Sequence, residues 1–166
     1  MTLDNTIDIW ASTHAVKAMA LFKEGYNCSQ AVCLAFADVY SEKYAIEEST
    51  ILKLSSSFGG GMGRLREVCG AVTGMFIVAG ILYGYDAPDA DEEKKAHYAR
   101  IQKLAHDFEV QSGSIICRDL LGLTQKRDEP VPEKRTESYY QKRPCVEKVG
   151  QAAAILEQYI RENPDQ

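Results

Sequence analysis

The sequence predicts an all-α fold, a bundle of about six helices around one central apolar helix. Apolar residues recur with helical spacing along most of the 166 residues, and no segment shows the alternation of a half-buried strand. In addition, the uncharged stretch of residues 68–85 is apolar on nearly all sides, which is typical of a buried central helix. At this length the simplest organisation is a single helical domain over residues 1–166.

Helix-start signals divide the first third of the chain. The first predicted helix covers Ile9–Lys23, and a glycine follows it. Asn27 is a good N-cap for a second helix over Cys28–Tyr40, and Gln30, three residues later, completes a capping box. A third helix covers Ile46–Phe58, with acidic residues in its first turn that suit the positive end of a helix dipole.

The central helix is unusually rich in glycine. It is predicted over Glu67–Tyr83, after the glycine-rich segment 59–63 has interrupted the chain. Each glycine in a helix costs about 1 kcal/mol relative to alanine. Four glycines fall within about one third of the helix circumference: Gly70, Gly74, Gly80 and Gly84. This glycine stripe predicts that another helix backbone crosses closely along that face.

The second half of the chain has more charge. We interpret residues 123–143 as a charged loop insertion, in which Tyr139 and Tyr140 either cover a site near Cys145 or pin the loop to the core. Three predicted helices surround it: a charged amphipathic helix ending near Val110 and capped by Asp89 or Asp91, a short helix ending at Gly122, and a last helix over Pro144–Glu162.

Composition excludes several classes of protein. The formal net charge of −5 gives no electrostatic basis for nucleic-acid binding. The segment MTLDNTIDIW lacks the basic start and apolar run of a signal peptide, and the stretch 68–85 is only moderately apolar. We therefore expect no membrane insertion and a cytoplasmic location. In that compartment five cysteines are more typical of reduced thiols, metal ligands or redox groups than of permanent disulfides.

Four of the five cysteines fall at predicted helix N-termini: Cys28, Cys69, Cys117 and Cys145. Free N–H groups and the helix dipole stabilise negative charge there, which lowers the pKa of a thiol. Arg64, Arg66 and Arg118 lie near these cysteines in the sequence and are candidate contacts for an anionic partner or cofactor. Cys33 lies about 140° around its helix from Cys28, so we expect it to fill the core.

Two chemistries fit four thiols that converge on one site. Pairs of thiols can cycle between dithiol and disulfide, with one cysteine attacking and another resolving. Alternatively, the same four cysteines can bind an iron–sulfur cluster or another soft metal, although their spacing matches no zinc ribbon or ferredoxin pattern. In either case the protein would be a thiol-based or metal-based oxidoreductase. The alternative from another class is a non-catalytic helical binding or oligomer module whose cysteines are buried and structural.

Four stretches of the sequence, "YNCSQAV", "FGGGMGRLREVCGAVTGMFIVAGILYG", "CRDLLG" and "PCVEKVGQAAAIL", resemble the C_GCAxxG_C_C family of redox-active proteins. The resemblance extends from about residue 13 to residue 160, and Cys33 lies outside the family pattern. It implies an all-helical protein with a redox role and an unidentified redox partner, and it leaves a homodimer open. A distant similarity to a domain of split-Soret cytochromes implies an iron centre held by cysteines. The family's cysteines fall on Cys28, Cys69, Cys117 and Cys145.

Overall fold

A computed structural model describes residues 5–164, which fold into α-helices as the sequence predicts. Within this range the β-structure is one isolated antiparallel bridge, between Val68 and Ile116. A 3-10 turn, Ile9–Ala11, precedes the first helix. The helices are Thr13–Lys23 (α1), Cys28–Ala35 (α2), Ala37–Tyr44 (α3), Glu48–Ser56 (α4), Gly59–Met62 (α5), Gly70–Tyr83 (α6), Asp91–Ser112 (α7), Cys117–Leu120 (α8), Glu137–Lys142 (α9) and Cys145–Glu162 (α10).

Helices α2 and α6 form the centre of the bundle. Helix α6 packs against α2, α7 and α10, and α2 also packs against α1, α4 and α10. The central position predicted for the apolar helix is therefore confirmed, and α2 shares it. None of the helices in residues 5–164 has both the length and the apolar character needed to cross a membrane. The largest side chains of the core are fully buried, among them Phe22, Phe36, Tyr40, Val72, Met75, Leu104, Phe108 and Leu156.

The predicted helix Cys28–Tyr40 is in fact divided at Phe36. The backbone N–H of Phe36 donates to Cys33 O at 3.2 Å, which tightens the last turn of α2, and Phe36 has φ −98° and ψ 11°. The Tyr40 hydroxyl donates to the same Cys33 carbonyl at 2.8 Å. One carbonyl thus receives a hydrogen bond from each side of the break, and the division between α2 and α3 is stabilised from within the core.

Two other predicted helix starts also differ from the structure. Helix α1 begins at Thr13, because the Ser12 side chain accepts from Ala15 N and caps the helix there, while Ile9 belongs to the separate 3-10 turn. The cap predicted at Asp89 or Asp91 is wrong: Ala90 occupies the N-cap of α7 and makes no side-chain cap hydrogen bond.

The glycine-rich segment 59–63 forms a left-handed turn. Residues 60–64 all have positive φ, between 65° and 69°. A left-handed backbone costs an ordinary L-residue about 1–2 kcal/mol, whereas glycine adopts it freely. Three of the five residues are glycines, and Met62 and Arg64 are the two that bear this cost. The turn directs the chain after it toward α8, so the central helix begins at Gly70 and not, as predicted, at Glu67.

The glycine stripe meets another backbone only along its first half. A Cβ at Gly74 would lie 2.8 Å from Ser29 O of α2, so the predicted close crossing of a helix backbone is confirmed there. At Gly70 a Cβ would lie 2.9 Å from the backbone of Phe58, the N-cap of α5. At Gly80 a Cβ would have nothing within 4 Å, and Gly84 follows the last turn as the C-cap. Among residues 5–164 no other helix crosses at these last two positions, and the prediction is wrong there.

This difference predicts opposite effects of one substitution at two glycines of α6. Gly74→Ala should lower the free energy of unfolding by about 1–3 kcal/mol, because its methyl group would overlap the backbone of α2. Gly80→Ala should raise it by up to about 1 kcal/mol, since alanine favours the helix and the space is free. Urea unfolding followed by circular dichroism measures both. Equal effects of the two substitutions would contradict this packing.

Candidate functional site

Four cysteines line one cavity with a volume of about 210 Å³: Cys28, Cys69, Cys117 and Cys145. Each lies at the start of a helix: three are the first residues of α2, α8 and α10, and Cys69 is the N-cap of α6. All five cysteines of the chain are free thiols. Cys33 is buried in the core and does not belong to the lining of this cavity.

The capping box predicted at the start of α2 is confirmed, and it places Cys28. Asn27 Oδ1 accepts from Gln30 N at 2.9 Å, and Gln30 Oε1 accepts from Asn27 N at 3.1 Å. Asn27 Nδ2 also donates to Ser56 O at 3.1 Å. A Cβ at Gly59 would overlap the Asn27 side chain, so this cap is packed directly against the start of the glycine-rich turn. Cys28 is consequently held between α4 and the turn.

A short antiparallel junction places Cys69 beside Cys117. Cys117 N donates to Glu67 O at 2.6 Å, and Cys69 N donates to Ile115 O at 2.8 Å, on either side of the isolated β-bridge. A Cβ at Gly61 would lie 2.6 Å from the Cys117 Cβ, so the left-handed turn leaves just enough room for this cysteine. Two thiols separated by 48 residues in the sequence are thereby brought to one wall of the cavity.

Cys145 completes the cavity from the opposite end of the chain. It follows Pro144, which is the N-cap of α10. Tyr139 lines the cavity, and burial together with the neighbouring Cys145 raises the pKa of its hydroxyl. The Tyr140 hydroxyl instead donates to Lys23 O at 3.2 Å. The two tyrosines therefore divide the roles that the sequence leaves open: Tyr139 contributes to the site, and Tyr140 attaches the segment to α1.

Burial dominates the acid–base behaviour of the site. It raises the pKa of Cys69 and of Cys117, and it raises the pKa of Cys145 to about 12. A negative charge on Cys28 raises the pKa of all three still further, which shows that Cys28 is their common neighbour. The lowered pKa predicted for thiols at helix N-termini is thus wrong for these three, because the cost of placing a thiolate in the protein interior exceeds the gain from the helix ends.

One buried guanidinium connects the charged segment to the thiols. The Arg66 side chain is 2% exposed, its Nε donates to Asp128 Oδ2 at 2.7 Å, and its Nη1 contacts Cys117 Sγ at 3.6 Å. Arg64 Nε donates to Glu129 O at 2.7 Å, and Arg64 also lines the cavity. The predicted contact residue Arg118 lies outside the lining and pairs with Glu67 at 3.3 Å.

The site contains charged residues beyond those predicted from the sequence. Asp128 pairs with Arg66, and Glu133, Arg135 and Lys148 line the cavity together with Arg143, which the sequence places just before Cys145. Lys148 belongs to α10, and for Asp128, Glu133 and Arg135 charge density was the only signal in the sequence, which does not distinguish them from their exposed neighbours.

The cavity thiols are not arranged as a metal site in the described part of the chain. Among residues 5–164, no group of three or more His, Cys, Asp or Glu side chains has an arrangement that could hold a metal ion. The iron centre that the resemblance implies therefore lacks a fitting set of ligands in this arrangement, and we derive no chemical step through a metal or cluster.

Comparison with known proteins finds one matching family. A family model described as "Putative redox-active protein (C_GCAxxG_C_C)" matches residues 26–159, a range that includes all four cysteines of the cavity. No curated protein and no solved structure shows significant similarity to the chain.

Asp128→Asn should destabilise the protein by about 3 kcal/mol, because it leaves the buried Arg66 guanidinium without a counter-charge. Asp107→Asn is the matched control, since it removes an exposed pair with Lys103 and should change stability by less than about 0.5 kcal/mol.

The same ion pair makes stability depend on pH. Arg66 lowers the pKa of the Asp128 carboxyl group. The stabilisation by the pair is therefore complete above the ordinary carboxyl pKa of 3.8 and is lost as the pH falls through the lowered value. Urea unfolding measures the stability of Asp128→Asn and Asp107→Asn. Equal losses in the two variants would contradict the role of Asp128 as the counter-charge of Arg66.

The raised thiol pKa predicts a steep pH dependence of alkylation. Cys145 is only half-buried, so its reaction with iodoacetamide should be limited by its small thiolate fraction. With a pKa of about 12, the rate should rise about tenfold per pH unit from pH 7 to beyond pH 10. Mass spectrometry of the Cys145 peptide after timed labelling measures this, with the urea-unfolded chain as control. A rate that levels off below pH 9 would contradict the raised pKa.

Proposed function

Because the chain belongs to the C_GCAxxG_C_C family of redox-active proteins, we propose that it carries out thiol–disulfide exchange at the cavity of Cys28, Cys69, Cys117 and Cys145. One observation supports this most directly: four free thiols line a single cavity and lie close enough that a charge on one raises the pKa of others. Each pair of these thiols that forms a disulfide releases two electrons and two protons to an acceptor.

Cys28 is the attacking thiol in this proposal. Cys28 and Cys145 are the two half-buried cysteines, whereas Cys69 and Cys117 are 7% and 8% exposed. Burial keeps Cys145 in its neutral form at neutral pH, and the neutral thiol is a poor nucleophile. A charge on Cys28 also raises the pKa of each of the other three, which makes all three candidates for the resolving thiol.

The direction of electron flow in this proposal follows from the state of the thiols. All five cysteines are free, and burial keeps the Cys145 thiol neutral at neutral pH. A protein in this reduced state gives up electrons when two of its thiols form a disulfide, so we assign it the role of an electron donor.

The test is a redox titration of protein purified without oxygen. Oxidation with one equivalent of a small disulfide should remove two thiols, both from the four cavity cysteines, and peptide mapping by mass spectrometry should find Cys33 still free. The same preparation is analysed for iron, zinc and sulfide. Stoichiometric metal on the reduced protein, or four cavity thiols that stay free after oxidation, would overturn the proposal in favour of a metal centre or a non-catalytic helical module respectively.

Cys28→Ser and Cys33→Ser form a matched pair of variants. Cys28→Ser should slow the first reduction of a small disulfide by at least about 100-fold, because it removes the attacking sulfur. Cys33→Ser should leave that rate within about twofold and lower the free energy of unfolding by about 1 kcal/mol, since Cys33 Sγ is buried and donates weakly to Gly74 O at 3.5 Å. Stopped-flow kinetics and urea unfolding separate the two. A loss of reactivity confined to Cys33→Ser would show that the site is misassigned.

A further inference from the structure

The wall of the cysteine cavity is strongly cationic, although the whole chain carries a formal net charge of −5. Of the described residues 5–164, Glu133 is the one carboxylate that lines it. We refer to the five basic residues of the lining as the cationic wall: Arg64, Arg66, Arg135, Arg143 and Lys148.

Part of the cationic wall is already neutralised by the protein. Arg66 pairs with Asp128 at 2.7 Å, and Arg64 lies 3.6 Å from the same carboxylate. Arg143 pairs with Glu133. These three guanidinium groups share two carboxylates, so their positive charge is reduced but not cancelled.

Arg135 and Lys148 have no carboxylate partner within residues 5–164. Arg135 donates to two backbone carbonyls, Phe22 O at 3.0 Å and Tyr26 O at 3.2 Å, and lies over the Phe22 ring with its guanidinium 4.2 Å from the ring centroid. Lys148 Nζ donates to the neutral Gln151 Oε1 at 3.2 Å. Carbonyls and rings orient a cation but bring no compensating negative charge. A net positive charge therefore faces the thiols.

The size of the cavity and the depth of its thiols restrict what can react there. A volume of about 210 Å³ is below the roughly 300–1,000 Å³ typical of drug-sized ligand sites. Cys69 and Cys117 are 7% and 8% exposed and the attacking Cys28 is itself half-buried, so an acceptor reaches these thiols only by entering the cavity in part. Apolar side chains, among them Phe22 and Leu120, also line the cavity and suit a short hydrocarbon chain.

Resting on the proposed thiol–disulfide exchange, we propose that the electron acceptor is a small disulfide whose arms end in carboxylates, with one carboxylate bound by Arg135 and Lys148. The Cys28 thiolate attacks one sulfur of the acceptor, the acceptor S–S bond breaks, and one anionic thiolate leaves and takes up a proton. A second cavity thiol loses its proton and attacks Cys28 Sγ, which releases the other half of the acceptor. The protein loses two electrons and gains a disulfide, and the acceptor becomes two thiols.

Three disulfides that share two methylene groups between the sulfur and an end group of different charge test this inference on the unmodified protein. They are dithiodipropionate, which is anionic, hydroxyethyl disulfide, which is neutral, and cystamine, which is cationic. Each rate of protein oxidation is divided by the rate of the same disulfide with a neutral small thiol, so that intrinsic reactivity cancels. The normalised rate should be highest for the anion and lowest for the cation, with about tenfold between anion and neutral at low ionic strength and less at high salt.

Variants then locate the charge. Lys148→Gln and Arg135→Gln should each reduce the ratio of the anionic to the neutral rate several-fold, and Glu133→Gln, which removes the single acid of the lining, should increase it. Lys103→Gln is the control, since Lys103 is exposed on α7 and lies outside the cavity lining. Circular dichroism confirms that each variant is folded, and if one is not, the three-disulfide series on the unmodified protein still decides.

The outcomes separate the two proposals. No reaction with any of the three disulfides would overturn thiol–disulfide exchange itself. Reaction with all three at equal normalised rates, or fastest with cystamine, would leave exchange intact and overturn the inference of an anionic acceptor. A preference for the anion that persists unchanged in both Lys148→Gln and Arg135→Gln would overturn the assignment of these two residues as its binding groups.

Discussion

The site depends on the hydrogen-bonded junction between residues 66–69 and 115–118. The two donations that frame it, from Cys117 N and Cys69 N, fix one cysteine at the start of α8 and another at the start of α6. The junction in turn requires the left-handed turn at residues 60–64, because the chain must change direction after α4 and because a side chain at Gly61 would occupy the position of the Cys117 Cβ. The glycines that precede Cys69 thus help to position the cavity thiols. They do so by allowing a left-handed turn and leaving room for Cys117, and not by making the chain flexible.

Helix starts and burial act in opposite directions on these thiols. Four helices present their N-terminal ends to one cavity, an arrangement that favours negative charge. The same convergence removes water from Cys69, Cys117 and Cys145, and the loss of solvation raises their pKa values. A gain of at most about 1–2 kcal/mol at a helix end is smaller than the several kcal/mol needed to desolvate an ion. The cationic wall offsets part of that cost without reversing it, as the contact of Arg66 with Cys117 illustrates.

The parts of this structure that follow from local sequence could be predicted, and the parts that follow from tertiary contacts could not. The capping box at Asn27 and the helix starts at Cys28 and Cys145 depend on residues within one turn, so the sequence predicts them closely. The break at Phe36 lies where Phe36 and Tyr40 are fully buried in the core, and the charge state of the thiols depends on burial among helices distant in the chain. Asp128 is 62 residues from Arg66, and no pattern in the sequence joins them.

Arg66 makes the charged segment and the thiols electrostatically dependent on each other. Its guanidinium contacts the Asp128 carboxylate and the Cys117 sulfur at the same time, and it is almost fully shielded from solvent. A thiolate at Cys117 would draw the guanidinium more strongly than a neutral thiol does, and a sulfur oxidised to a disulfide would draw it less. The strength of the ion pair between Arg66 and Asp128 must therefore change when Cys117 is ionised or oxidised. By reciprocity, the position of the Asp128 carboxylate must affect the ionisation of the Cys117 thiol. The segment that was expected to be an insertion is, through this one side chain, a component of the redox site we propose.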